Sequence, residues 1–219
     1  APNYFLDKKE PTKEITLVAE KVETITPELI KEEITYRKPV VFITGGGRRI
    51  GAAISSLLMK SGYYVLIHVR NSVVDAQSII DEHSKLNDGQ ISGDIIQGDL
   101  LSADISKLID SVINHPKVVE YGGLFGLINN ASIYQPISFS ELTFEEFKNN
   151  FTIHVDVPFL LTKGLYDSLK AKSGSVIGIV DTSQGRAWQD LTHYTASKNA
   201  LRQMMINLAG DLHPHVRVN

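Results

Sequence analysis

The sequence predicts an α/β fold, a doubly wound parallel sheet with helices on both faces. Three observations carry that prediction. From Pro39 onward, apolar runs of strand length alternate with amphipathic stretches of helix length. The first apolar run leads into a glycine-rich turn, and no internal repeat or low-complexity tract breaks the alternation.

The elements follow in order. VVFIT is a buried strand, and AAISSLLMKSG is a helix ended by Gly62. YYVLIHV is a second strand, VVDAQSIIDEHSKL a helix and GDIIQGDL a third strand. ISKLIDSVINHP is a helix before GLFGLINNAS, a fourth strand with its loop. A single long helix is expected over FEEFKNNFTIHVDVPFLLTKGLYDSLKAK, then a fifth strand in GSVIGIVDTS. HYTASKNALRQMMINLAGDL is the last helix, and VRVN begins a sixth strand.

Residues 1–38 read differently. EITLVAEKVETI has the pattern of a strand, and in TPELIKEEI Thr26 and Pro27 are placed as a helix N-cap and first turn. This segment is expected to be an extension, or the tail of a preceding domain, without chemistry of its own. The functional domain is expected over 39–219.

Composition narrows the function. The chain has 219 residues, 42% apolar and 21% charged, as an ordinary globular protein has. A net charge of −3 gives no reason to expect nucleic acid or an anionic membrane as partner. Without cysteine there is no disulfide and no thiolate zinc site, which suits a reducing compartment. No apolar run approaches the roughly 20 residues of a membrane span, and APNYFLDKKEPTKE lacks a signal-peptide pattern. A cytoplasmic location is expected, and the sequons at Asn130 and Asn150 then carry no consequence. HPH near the C-terminus has no matching carboxylate constellation, and no metal site is expected.

TGGGRRIG, Thr44 to Gly51, sits between a strand and a helix. That context brings backbone N–H groups and the positive end of a helix to one point, which suits a diphosphate. Gly45 allows the tight turn, and Gly51 allows close packing of the helix. A site specific for NAD ends its second strand in a carboxylate that holds the ribose 2′-hydroxyl. Here that position offers Arg70, Asn71 and Ser72 and no acid, so a 2′-phosphate, and hence NADP, is favoured. Asp99 and Leu100 after the third strand fit a contact to the adenine edge.

HYTASKNAL places Tyr194 and Lys198 four apart, on one face of a helix. An ammonium beside a phenol favours the phenolate, which would make tyrosine a workable acid near neutrality.

With the glycine loop, NNAS and YxxxK in that order, the sequence resembles the short-chain dehydrogenase/reductases from Pro39 to its end, about four-fifths of the chain. The resemblance implies a Rossmann-type, three-layer α/β/α fold. Three departures from the family pattern are informative. Arg49 stands at the second glycine of TGxxxGxG, Asp181 stands where a catalytic serine lies thirteen residues before the tyrosine, and His154 replaces the asparagine of the long helix. Together they resemble the pterin-reducing branch, the pteridine reductases and bacterial dihydromonapterin reductases. TGGGRRIG, IHV..P.LL and the ending VRVN are most similar to the dihydromonapterin type, and Tyr134 in NASIYQP matches the aromatic on which that branch stacks the pterin.

The resemblance implies NADPH-dependent reduction of a dihydropterin, with dihydrofolate an open alternative. It implies a cofactor site made by Gly45, Arg48, Arg49, Ile50, Arg70, Asn71, Ser72, Asp99, Leu100, Asn130, Ala131, Ser132, Tyr194 and Lys198. Lys198 would hold the nicotinamide ribose and acidify Tyr194, while Asp181 would hydrogen-bond Tyr194 or the aminopyrimidine edge. Asp181, Tyr194 and Lys198 form the implied catalytic set; Arg49, Ser132, Tyr134, Asp181 and Tyr194 form the implied pterin contacts. His154 is assigned to packing or helix bridging, and Trp188 to the substrate mouth or to packing. The family also implies a homotetramer and, after RVN, a proline-glycine turn, a substrate lid and a last strand, so a continuation past Asn219 is expected. Two other readings stand beside this one: a reductase of a carbonyl such as a 3-oxoacyl thioester, and a catalytically weak NADP-binding protein.

Overall fold

Alternate residues along each strand enter opposite cores, and this alternation fixes three layers. A computed structural model describes residues 38–219 except 87, 88, 103, 183 and 184. The readings for the first 37 residues lie outside the described residues; by its contacts the chain divides into Ala1–Tyr36 and Arg37–Asn219.

In β1 (Val40–Ile43), Val40 and Phe42 join one core while Val41 and Ile43 join the other. In β2 (Tyr64–Val69), Tyr64 and Leu66 join the first, and Val65, Ile67 and Val69 the second. Both strands are buried throughout, so they read as continuous apolar runs and not as alternation, as parallel strands covered on both faces do. The second core is closed by α1 (Arg49–Lys60) and α2 (Val73–Leu86), through Met59, Ala76 and Ile80.

The remaining strands are β3 (Gly93–Gln97), β4 (Gly126–Asn129), β5 (Ser175–Gly178) and β6 (Arg217–Val218). All six are parallel, in the order β3-β2-β1-β4-β5-β6. The order reverses between β1 and β4, and the crevice above their carboxyl ends is where such sheets take ligands. Ile43 pairs with Ile67 on one side and Ile128 on the other, which sets Thr44, His68 and Asn129 at one level.

The first core is covered by α3 (Ile105–Ile113), α4 (Pro116–Tyr121) and the helices that follow β4. One helix was expected through Pro116; the chain instead stops at Ile113 and restarts with Pro116 in the first turn, where a missing N–H costs nothing.

The single long helix expected after Phe144 is a chain of segments. α5 (Phe144–Phe151) starts at a capping box of Thr143 and Glu146, followed by a π-helical turn over Thr152–Asp156. α6 (Val157–Gly164) and α7 (Tyr166–Lys170) follow. Pro158 supplies a physical reason, because in a regular α-helix its ring would press on the carbonyl of His154 and its missing N–H would orphan that group. The wider π turn absorbs both conflicts and turns His154 into the interior, where it is 1% exposed. The last helix, α8 (Thr192–Asp211), buries Tyr194, Ser197, Lys198, Leu201 and Met205 along one stripe.

Leu127, at the middle of β4 and fully buried, tests the central sheet. Leu127→Ala is expected to lower unfolding free energy by about 2–5 kcal/mol in urea titration. A loss under 1 kcal/mol, on the order of a surface change, would contradict its place in the core.

Candidate active site

The glycine loop is held by its neighbours on β2 and β4. Thr44 Oγ1 accepts the backbone N–H groups of Asn130 and Ala131, each at 3.0 Å. The Asn130 amide returns two bonds, to the carbonyls of Thr44 and Gly45, both 2.9 Å. Gly45 takes a φ of +63°, open to glycine, and a Cβ at Gly51 would collide with the Gly45 carbonyl and the Asn130 amide.

On the other side stands His68, which sequence reasoning missed. Its Nε2 lies 3.1 Å from the Gly98 carbonyl and its Nδ1 3.3 Å from the Gly45 nitrogen. A carbonyl only accepts, so Nε2 carries the proton and Nδ1 accepts from Gly45. His68 thereby ties the ends of β1, β2 and β3 together as a neutral ring, and burial pushes its pKa down to about 4. A histidine inside an otherwise apolar strand, LIHV, was the signal.

The helix end above this loop suits an anion. The N-cap of α1 is Arg48, extended and without a side-chain cap, and the first turn holds no acid. The orphan N–H groups therefore face no competing side-chain acceptor, and Gly51 keeps the approach free of a Cβ. These features fit a dinucleotide diphosphate. Arg48 is turned away from it: Nε and a terminal nitrogen reach Asp75 Oδ2 at 2.8 and 2.7 Å, an exposed pair. Arg49 takes a φ of +51°, which explains the glycine usual at this position and costs about 1–3 kcal/mol in any other residue. Ile50 is 62% exposed in the first turn.

The adenosine side is mixed. Arg70 and Asn71 are exposed, and Ser72 packs against Gly47, which brings the β2 turn beside the loop. Asp99 spends Oδ1 on the Leu101 nitrogen at 3.1 Å, and the Leu100 side chain is buried in the first core. The Leu100 side chain, expected at the adenine edge, is therefore turned into the core. Asn130, expected among the cofactor contacts, spends its amide on the loop and positions it.

Across the cleft, Tyr194 and Lys198 lie on the buried face of α8, and Asp181 follows β5. The Tyr194 hydroxyl donates to Asp181 Oδ2 at 3.0 Å. Lys198 Nζ donates to the Ile179 carbonyl at 2.7 Å and stands 6.0 Å from the Tyr194 ring. The sequence-based expectation of an acidified tyrosine is not met in this state. Burial first, and then the Asp181 carboxylate, raise the Tyr194 pKa well above its ordinary value, while the ammonium bonds to the Ile179 carbonyl. Lys198 is itself pushed down to about 8 by burial.

Tyr134, 56% exposed, stands edge-on to the Tyr194 ring at 4.9 Å. Ser132, also exposed, is in hydrogen-bond contact with Tyr194 and reaches His154 Nε2 at 2.9 Å. His154 Nδ1 meets Ser197 Oγ at 2.8 Å, which joins the π turn to α8 and supports the helix-bridging role. Trp188 lies on a separate shallow depression with Arg186, Thr195 and Asn199, whose walls contain none of Asp181, Tyr194 and Lys198. Among the described residues no three histidine, aspartate or glutamate side chains gather as metal ligands, and no helix is long and apolar enough to cross a membrane.

Comparison with known proteins bears on this arrangement. A family profile described as short chain dehydrogenase matches residues 39–219. A short-chain dehydrogenase/reductase of Pestalotiopsis microspora is 27% identical over 173 residues, 78% of this chain, and the chain spans 62% of that relative's length. An uncharacterized oxidoreductase of Thermotoga maritima is 29% identical over 182 residues, 82% of this chain and 68% of the relative. Among solved structures, FolM alternative dihydrofolate reductase 1 from Brucella canis, complexed with NADP, is 30% identical with a TM-score of 0.72. That similarity covers 83% of this chain and 71% of the other.

Two of the buried histidines, His68 and His154, predict a pH dependence. His68 and His154 fall from an ordinary 6.5 to about 4 and about 3 in the folded chain, so the unfolded chain binds more protons between these values. Their contribution is complete above pH 6.5 and is lost as pH falls through the folded values. Calorimetry should show Tm falling from about pH 6.5 downward, with a shallower fall in His68→Gln. An unchanged slope in that variant would show that His68 is not a source of the dependence.

Proposed function

The chain belongs to the short-chain dehydrogenase family, and from that premise we propose that it reduces a dihydropterin to the tetrahydropterin with NADPH. The observation that carries this reading is the hydrogen bond of 3.0 Å from Tyr194 to Asp181, a carboxylate where the resemblance leads one to expect serine. A carboxylate beside a developing carbonyl oxyanion is repulsive, whereas it accepts well from the N–H groups of an aminopyrimidine. The similarity to the Brucella canis alternative dihydrofolate reductase 1, complexed with NADP, supports the same substrate class and cofactor. Exposed Arg70 without a neighbouring acid on its turn supports the phosphorylated nicotinamide cofactor.

When bound, the cofactor supplies a hydride to a ring carbon of the pterin. The protein supplies the proton that the adjacent ring nitrogen takes up. Tyr194 retains its proton at neutral pH, since burial and Asp181 both disfavour its phenolate. Its hydrogen bond to Asp181 connects that proton to a second group able to carry one. Lys198, charged below about pH 8, sits on the same helix face and offsets the phenolate that donation leaves. Tyr134 offers an exposed aromatic face at the cleft edge for a flat heterocycle. The left-handed Arg49 sits in the glycine loop, and its guanidinium would span the diphosphate and the pterin carbonyl side.

The full-length protein should oxidise NADPH in the presence of 7,8-dihydrobiopterin. Tyr194→Phe should lower kcat by about 10²- to 10⁴-fold with NADPH binding retained, and Asp181→Ala should also reduce turnover greatly. No dihydropterin-dependent oxidation, beside good turnover of a 3-oxoacyl thioester, would sink the assignment; NADPH binding without turnover of either would favour a non-catalytic role.

Arg49→Gly should separate stability from function. Relief of the left-handed arginine is expected to raise unfolding free energy by about 1 kcal/mol or more. The same variant should raise KM for the dihydropterin. A variant less stable than the parent would show that the arginine contributes contacts outweighing its strain.

A further inference from the structure

His193 comes just before Tyr194 on α8 and is 0% exposed, yet nothing in the proton delivery described above uses it. Its Nε2 lies 3.0 Å from the backbone carbonyl of Gln135. A carbonyl only accepts, so Nε2 carries a proton and donates, whatever the state of the other nitrogen. That other nitrogen, Nδ1, is buried with no hydrogen-bond partner among the described residues. A leucine would fill the interior without burying an unpartnered polar atom, so packing does not account for an imidazole here. What the imidazole supplies is one N–H, and the Gln135 carbonyl receives it. A second bond joins the same two segments: the Ile137 N–H donates to the Asp190 carbonyl at 2.8 Å. Asp190 holds a φ of +60°, a left-handed backbone that costs stability in a residue other than glycine. Between the two anchored positions Pro136 fixes its own φ, so the loop has little freedom there.

We infer that His193 is a positioning residue for the pterin: through the Gln135 carbonyl it holds Tyr134 beside the acid Tyr194, ready for a flat ring. The inference rests on the proposed pterin reduction and deepens it by naming what keeps the stacking aromatic in place. Tyr134 is covalently joined to Gln135, and Tyr194 to His193, so one hydrogen bond closes a short path between the two rings. These rings meet edge-on, with centroids 4.9 Å apart. Ser132, on the other side of Tyr134, contacts Tyr194 and His154, so the aromatic is held from both directions. Without such restraint the ligand itself would have to order an exposed tyrosine on a segment without helix or strand. That ordering would weaken binding. A thioester, which has no flat ring to stack, gains nothing from the restraint.

Kinetics and hydrogen exchange on the full-length protein test this. His193→Leu removes the donor, whereas His193→Gln keeps an N–H of similar reach. His193→Leu should raise KM for 7,8-dihydrobiopterin about tenfold, the worth of one hydrogen bond, with kcat within about twofold and NADPH affinity unchanged. His193→Gln should restore most of the loss, and kcat/KM for an acetoacetyl thioester should be the same in all three proteins. In a Tyr134→Ala background, His193→Leu should add nothing further, because the residue it acts through is gone. A full additional rise in KM there, or an equal fall for the thioester, would mark His193 as merely structural and overturn the inference. Amide exchange of Ile137, followed by NMR without substrate, should be faster in His193→Leu than in the parent and near parental in His193→Gln. Equal exchange in all three would also overturn it. Should His193→Leu not fold, imidazole nitrogen NMR of the parent decides, with the His193 signals identified by their loss in His193→Gln. A proton on Nε2 supports the bond to Gln135, and a bare Nε2 overturns it. If the parent protein reduces no dihydropterin, the pterin assignment fails by itself, and the exchange of Ile137 still decides whether His193 holds the loop.

Discussion

The cleft depends on the seam between β1 and β4. Thr44, Gly45, Asn130 and Ala131 share four hydrogen bonds there, two received by the Thr44 hydroxyl and two given by the Asn130 amide. The groups are buried or half-buried, where an unmade bond costs about 1–3 kcal/mol, so the network is held as a unit. It serves both walls at once. On one side it fixes the carbonyls of the glycine loop and hence the aim of the α1 N-terminus. On the other it fixes the start of the segment that carries Ser132 and Tyr134. His68 extends the lock to β2 and β3, so the two halves of the sheet present their loops at one level.

Around that frame the site departs from the rules the rest of the chain obeys. Arg49 holds a left-handed backbone, Lys198 is 3% exposed and His154 interrupts a helix at a π turn. Each departure costs stability and places a polar group where the cleft can use it. The apolar layers make this tolerable, since the cores on both faces of the sheet are continuous and do not rely on the site. Asn129 marks the boundary between the two regimes: it is buried at the end of β4 with neither amide atom partnered. A polar group left open at the head of the sheet is the pattern of a site, not of a core.

Much of this was legible in the sequence. The strand–helix alternation gave all six described strands and their order of appearance, because parallel strands buried on both faces read as unbroken apolar runs. Tyr194, Lys198 and Asp181 were legible from spacing and resemblance, and the structure brings Tyr194 and Asp181 into contact. What was not legible depends on the third dimension. The segmented helix after Phe144 was missed because the periodicity survives a π turn, although Pro158 was there to be read. His68 was missed because a single polar residue in a strand signals a site but does not name its partners until its neighbours on β1 and β3 are known. The pKa of Tyr194 was misjudged because spacing along α8 placed the ammonium near the ring but could not show the burial and the Asp181 contact that raise it.

Hydrogen-bond direction is the property that spacing conceals most completely. Serine, histidine and tyrosine each both donate and accept, so the residues around Tyr194 are compatible with either a carbonyl or an N–H substrate. A proton already spent removes that freedom, and here the Tyr194 hydroxyl spends its one proton on Asp181 Oδ2. Across its contact with Ser132, Tyr194 therefore accepts, and the serine proton is given there.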